Sequence, residues 1–182
     1  MKLLALPAAL AALAIPAAAS AQEVFAGVYV HGVDTPFTLV TGEGGIDLEL
    51  GYRFAPITAL SAIGSPSPYV IGSLNSVGDT SFGGVGIGWK FTLGKHGSPV
   101  YLRPGVGLIV HDGPSHRVDR VRRVETDLGS RVLFEPELGL GYEFTDKLSA
   151  EASWTHISHA QLFNSRQNPG IDMWGVRINY KL

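Results

Sequence analysis

His156 and Ser158 stand two residues apart in Trp154-Thr155-His156-Ile157-Ser158-His159-Ala160. Side chains alternate with period 2 along a strand, so a base and a nucleophile at i and i+2 share one face. Asp172, in Asn168-Pro169-Gly170-Ile171-Asp172, opens the next extended segment and adds a carboxylate. Together the three types could form the nucleophile, general base and orienting acid of acyl transfer. A lone His-x-Ser is a common pattern, and its meaning depends on which face of which architecture carries it.

The elements that must position these residues begin after a leader. Lys2 gives a short positive start, Leu3 to Ala18 is an apolar Leu/Ala run, and Ala19-Ser20-Ala21 is a small-x-small cleavage site. Pro7, Pro16 and that ending argue against a membrane anchor. Residues 1–21 are therefore expected to be an export signal, and 22–182 the mature single domain. There is no cysteine, so disulfides do not hold it. Without Lys2, 13 basic residues face 16 acidic ones, a balance that gives no reason to expect nucleic acid.

From Val24 onward, alternating segments rich in Val, Ile, Tyr and Phe are separated by Gly, Pro, Asp or Ser clusters. Eight are expected, at about 24–32, 44–54, 67–77, 81–93, 99–111, 129–144, 147–158 and 172–182. One face is apolar throughout: Ile46, Leu48, Leu50, Tyr52 and Phe54 in the second, for example, and Val100, Leu102, Pro104, Val106, Leu108 and Val110 in the fifth. The other is rich in Gly and carries Arg53, Arg103, Arg177, Glu49, Glu135, Glu137 and Glu151. In a soluble exported sandwich, the alternative reading, the apolar face would be the core. Glycines and opposite charges instead suit a narrow barrel interior, and Tyr52, Phe54, Phe91, Tyr142, Phe144 and Tyr180 suit an interfacial girdle on its outside. The expectation is all-β: an eight-stranded antiparallel transmembrane barrel of the outer membrane. Trp174, Val176, Ile178, Tyr180 and Leu182 alternate to the last residue and resemble the terminal signal read by the barrel assembly machinery, with Leu in place of the usual aromatic end.

In this frame His156 and Ser158 continue the outward phase of Trp154, and Asp172 that of Trp174 and Val176. With both termini periplasmic, the seventh strand ends and the eighth begins at the cell exterior. The three residues then meet on the outer rim facing the outer leaflet, where a polar group is costly and needs a reason. That leaflet is rich in lipopolysaccharide, which makes lipid A the expected substrate. Ser158 would attack an ester carbonyl, His156 would take its proton, and Asp172 would hold the imidazole.

At these residues the chain resembles the lipid A 3-O-deacylase family of eight-stranded outer-membrane barrels. Its pattern is His-x-Ser-Asn-Ala, a loop, then Asn-x-Gly-Ile-Glu, matched here by His156-Ile157-Ser158-His159-Ala160 and Asn168-Pro169-Gly170-Ile171-Asp172. The resemblance implies hydrolysis of the 3-position hydroxyacyl ester without metal or cofactor, with Ser158 as nucleophile and His156 as base. Two positions depart from it: Asp172 replaces a glutamate, and His159 replaces an asparagine proposed to serve the oxyanion hole. His159 is thus the candidate oxyanion donor. A non-enzymatic structural or adhesion barrel, and a lipid A acyl transferase with a lumenal site, are the competing readings. A homodimer is a further expectation.

Arg120, Arg122 and Arg123 fall in the loop between the fifth and sixth segments, where they could contact lipid A phosphates. A solvated loop or a strand extension explains them as well. His31, His96 and His111 lie near segment ends without metal-ligand spacing. Glu135 and Glu137 are expected to point into the lumen, and Asn75 with Gly78-Asp79-Thr80-Ser81 to form a tight hairpin turn.

Overall fold

The computed structural model describes residues 22–36, 38, 41–95, 97–113, 117–119, 124–126, 128–160, 162 and 169–182. The expected leader, His96, and Arg120, Arg122 and Arg123 lie outside them. Eight antiparallel strands form the wall: β1 (Glu23–Val30), β2 (Ile46–Arg53), β3 (Ser67–Asn75), β4 (Phe82–Gly88), β5 (Val100–His111), β6 (Val132–Glu143), β7 (Leu148–Ile157) and β8 (Ile171–Lys181). Each pairs with the next in sequence, and β1 pairs with β8 (Val24 opposite Tyr180, Val30 opposite Trp174), which closes the sheet. Closure leaves no unpaired edge, the condition for strands to cross a membrane.

The expected fourth strand, 81–93, is interrupted after Gly88 and resumes only at Phe91–Thr92. The partner at the gap is Pro104. Trp89 N–H donates to the Pro104 carbonyl at 2.9 Å, but proline has no N–H to return. The other strands fall within a few residues of expectation. A 3-10 turn at Thr58–Ile63 was not foreseen, and beyond β5 the strand extension weighed above takes the form of a small separate hairpin of Arg117–Asp119 with Val124–Thr126.

The face assignment holds for the wall. Leu48, Leu50, Val85, Val110, Leu140, Val176 and Ile178 are exposed, whereas Glu49, Arg53, Arg103, Glu137, Glu151 and Arg177 are buried inside. Arg177 reaches Glu49 and Glu137, both at 2.7 Å, and Arg103 reaches Glu23 at 2.9 Å and Glu151 at 2.7 Å. Glu135 accepts a hydrogen bond from Tyr69. Glycines on the inner face make way for rings: a Cβ at Gly51 would lie 2.1 Å from Phe25, and one at Gly141 would lie 2.1 Å from Tyr101. The lumen is therefore packed rather than open.

The inner face is not polar along its whole height. Away from the chain termini it also carries apolar side chains, with Ile71, Phe82, Ile109, Leu128, Leu133, Ile157, Ile171 and Met173 in one buried cluster beside polar groups such as His31, Asp47 and Thr155. This plug gives the ends of β7 and β8 a rigid backing, on the far side of the wall from His156 and Asp172.

Candidate active site

β7 and β8 are in register to their far ends, with Trp154 opposite Trp174 and His156 opposite Asp172. Directly opposed residues have Cβ atoms about 4.5–5.5 Å apart. That is close enough for a direct bond, and His156 Nδ1 lies 2.8 Å from Asp172 Oδ1. A carboxylate only accepts, so Nδ1 carries a proton, and in the neutral ring Nε2 then holds the lone pair. This is the tautomer a general base requires.

Asp172 differs from expectation in one respect. It has the outward phase, but it does not face lipid: it is fully buried. Trp154 Nε1 donates to Oδ1 at 2.9 Å, and Thr35 Oγ1 donates to Oδ2. The indole also stacks on the His156 ring, with centroids 6.0 Å apart and an interplanar angle of 25°. The cost of a carboxylate on the outer face is thus met by three donors and a covering loop.

Gly170 closes the other side. Its φ of +52° is left-handed, and a Cβ there would lie 2.6 Å from His156 Cε1 and 3.1 Å from Nε2. Only glycine lets the backbone run this close to the ring without displacing it.

Ser158 follows β7 as an isolated bridge to Phe134, whose N–H donates to the Ser158 carbonyl at 2.8 Å while Ser158 N–H donates back at 3.1 Å. The bridge keeps Ser158 in the phase of His156. Among the described residues no hydrogen bond joins Ser158 Oγ to His156. Resting active sites often hold such pairs loosely until substrate binds. His159 is fully buried rather than a surface loop residue, and Ala160 turns the chain immediately afterwards with φ +51°.

The structure thus brings His156 and Asp172 into contact, sets Ser158 one phase step away, and buries both Ser158 and His159. Sequence reasoning missed the parts played by Trp154, Gly170 and Thr35. Trp154 shares the phase of His156, a signal that could have found it. Thr35 had none, since 137 residues separate it from Asp172.

A closed eight-stranded barrel with an apolar outer wall and a charged, packed lumen defines an outer-membrane β-barrel protein. More narrowly, the chain belongs to the lipid A 3-O-deacylase (PagL) family, whose pattern matches residues 46–181. Among solved structures it is similar to the outer membrane enzyme PagL, with 17% identity, a TM-score of 0.57, and coverage of 88% of this chain and 99% of that one. It is also similar to Neisserial surface protein A, with 11% identity, a TM-score of 0.53, and coverage of 90% and 98%. The N-terminal β-barrel domain of Pseudomonas aeruginosa OprF gives 11% identity, a TM-score of 0.53, and coverage of 88% and 97%. At these identities the structural likenesses speak to the fold. No curated protein sequence matches significantly.

Proposed function

We propose that this chain is a serine esterase that hydrolyses the 3-O-linked hydroxyacyl ester of lipid A, through Ser158, His156 and Asp172 on the outer rim of the barrel. The observation that carries the reading is the His156–Asp172 pair at 2.8 Å, on the outward phase of adjacent strands at the end away from the termini. With the termini periplasmic, that end stands in the leaflet that holds lipid A.

In the reaction, Ser158 Oγ attacks the ester carbonyl while His156 Nε2 takes the hydroxyl proton. Asp172 stabilises the resulting imidazolium and fixes its orientation. Collapse of the tetrahedral intermediate breaks the bond to the sugar oxygen, which leaves with the proton from His156. Water, activated by the same imidazole, then releases the hydroxy fatty acid and restores Ser158. Ser158 N–H is committed to Phe134, so the oxyanion donors come from His159 and the turn at Ala160. No metal or cofactor enters this scheme.

Arg120, Arg122 and Arg123 are proposed to bind lipid A phosphates or inner-core acids. Neutralising all three should slow turnover of intact lipopolysaccharide, and an unchanged rate would remove them from the site. Insertion by the barrel assembly machinery and a homodimer are also part of the proposal.

The deciding experiment is mass spectrometry of lipid A from cells carrying the wild-type chain or Ser158→Ala. Loss of one 3-linked hydroxyacyl group with wild type alone is the expected result. Unchanged lipid A with a correctly folded wild-type barrel would sink the reading.

A further inference from the structure

The two carboxylate oxygens of Asp172 are held differently. Oδ1 receives both Trp154 and His156, while Oδ2 receives Thr35 Oγ1. Donors on one oxygen alone leave the carboxylate able to swing about its Cβ–Cγ bond, and a donor on the second oxygen fixes its plane. Thr35 lies in the loop between β1 and β2, outside residues 46–181 that match the family pattern. The backbone meets the site at the same place, since Val33 N–H donates to the Asp172 carbonyl at 2.9 Å.

The neck of this loop is tied shut. His31, with its side chain wholly buried, bridges Asp47 Oδ2 at 2.7 Å through Nδ1 and Glu43 Oε2 at 2.9 Å through Nε2. Glu43 is held in turn by Thr80, whose Oγ1 donates to Oε1 at 2.9 Å and whose N–H donates to Oε2 at 3.1 Å. Asn75 Nδ2 donates to Asp47 Oδ1 at 2.8 Å. His31 N–H donates to the Gly45 carbonyl at 3.1 Å, and Gly32, at φ +66°, runs so close that a Cβ would lie 2.3 Å from the Glu43 carbonyl oxygen. The chain therefore leaves β1 and enters β2 through one closed junction, with residues 33–35 reaching from it across to β8.

We propose that residues 31–35, which lead out of β1, are the positioning arm of the active site, its neck closed by His31 and its Thr35 hydroxyl holding Asp172 in the plane that serves His156. The inference rests on the esterase reading above. Thr35 touches no reacting atom and acts only through Asp172. His31 acts one step further back, by keeping Thr35 within reach.

The test measures kcat and KM on purified lipopolysaccharide in detergent micelles for wild type, Thr35→Val, Thr35→Ser, His31→Gln, the Thr35→Val/His31→Gln double variant and Ser158→Ala. Folded barrel is quantified by its heat-modifiable electrophoretic mobility. Valine keeps the shape of the cover but removes the donor, which leaves a buried carboxylate oxygen unsatisfied. Its kcat should fall about tenfold or more with KM within about twofold, and Thr35→Ser should restore most of the rate. His31→Gln should lower kcat in the same way, and should add little once Thr35 is already valine, because linked residues are not additive. An undiminished kcat in Thr35→Val, or a serine variant as slow as valine, would overturn the arm. Additive losses would overturn its dependence on His31. Equal rates for wild type and Ser158→Ala would sink the esterase reading and this inference with it. An inactive Ser158→Ala beside a fully active Thr35→Val would sink the inference alone.

Discussion

Asp172 stands where the family pattern has a glutamate, and its surroundings fit the shorter acid. Three donors converge on a carboxylate with no exposure, supplied by Thr35, Trp154 and His156. One more methylene would push the carboxylate into those donors. Asp172→Glu is therefore expected to lose activity by about tenfold rather than gain it, and a faster glutamate variant in a lipid A release assay would show that the pocket has room. Asp172→Asn keeps the shape but forfeits the charge that stabilises the imidazolium and the acceptor that sets its tautomer, and turnover should drop by about 10⁴-fold, as in a serine-protease triad. Gly170→Ala is the sharper geometric test. Its Cβ would lie 2.6 Å from the imidazole of His156, so the ring must move. A loss of about tenfold or more with normal folding is expected, and wild-type kinetics would contradict the close approach.

At the scale of elements, the loop joining β1 and β2 is fastened by a titratable bridge. Burial opposes a charge on His31, but its hydrogen bonds to Asp47 and Glu43 and their negative charges outweigh it, and raise the imidazole from 6.5 to about 9. Burial alone would raise the Glu43 carboxyl, but hydrogen bonds from His31 and Thr80 together outweigh it and leave the group below its usual range. The sign follows from linkage. The His31 contribution is whole below about 6.5 and is lost as pH climbs through about 9. The Glu43 contribution is present above the ordinary carboxylate range and is lost as pH falls through the lowered value. Proteolysis of the folded barrel by a protease active on both sides of this limit should reveal a loop that opens as pH passes about 9. His31→Gln should be cut at every pH, and a wild-type loop insensitive to alkali would break the argument. The break after Gly88 belongs to this scale too: a proline in the neighbouring strand removes one ladder donor, which hydrophobic alternation does not register.

For the whole molecule, stability depends on a lumen in which acids and bases must balance. Arg177 is almost wholly buried and serves Glu49, Glu137 and Glu151 at once. Replacing it with leucine strands those carboxylates in a low-dielectric interior, at a cost of about 3–5 kcal/mol. Urea unfolding in lipid vesicles should show that loss, and a variant of undiminished stability would mean that water or protonation compensates. The apolar cluster at the opposite end is the second support. Ile157, Ile171 and Met173 alternate with the outward His156 and Asp172, so the strands that carry the site are braced from behind.

The sequence by itself determined the alternation, and with it the number of strands, the apolar outside, the charged inside and the shared phase of His156, Ser158 and Asp172. These follow from a period of two along each strand, which is a local property. The inward apolar plug was also written in Ile157, Ile171 and Met173, but a few residues at strand ends do not announce that they meet. Only the tertiary structure decided that Asp172 is covered rather than lipid-facing, because the cover comes from Thr35 at the opposite end of the chain. Closure of β1 onto β8 creates that neighbourhood. A contact across 137 residues depends on the barrel having closed, and no periodicity along the chain encodes it.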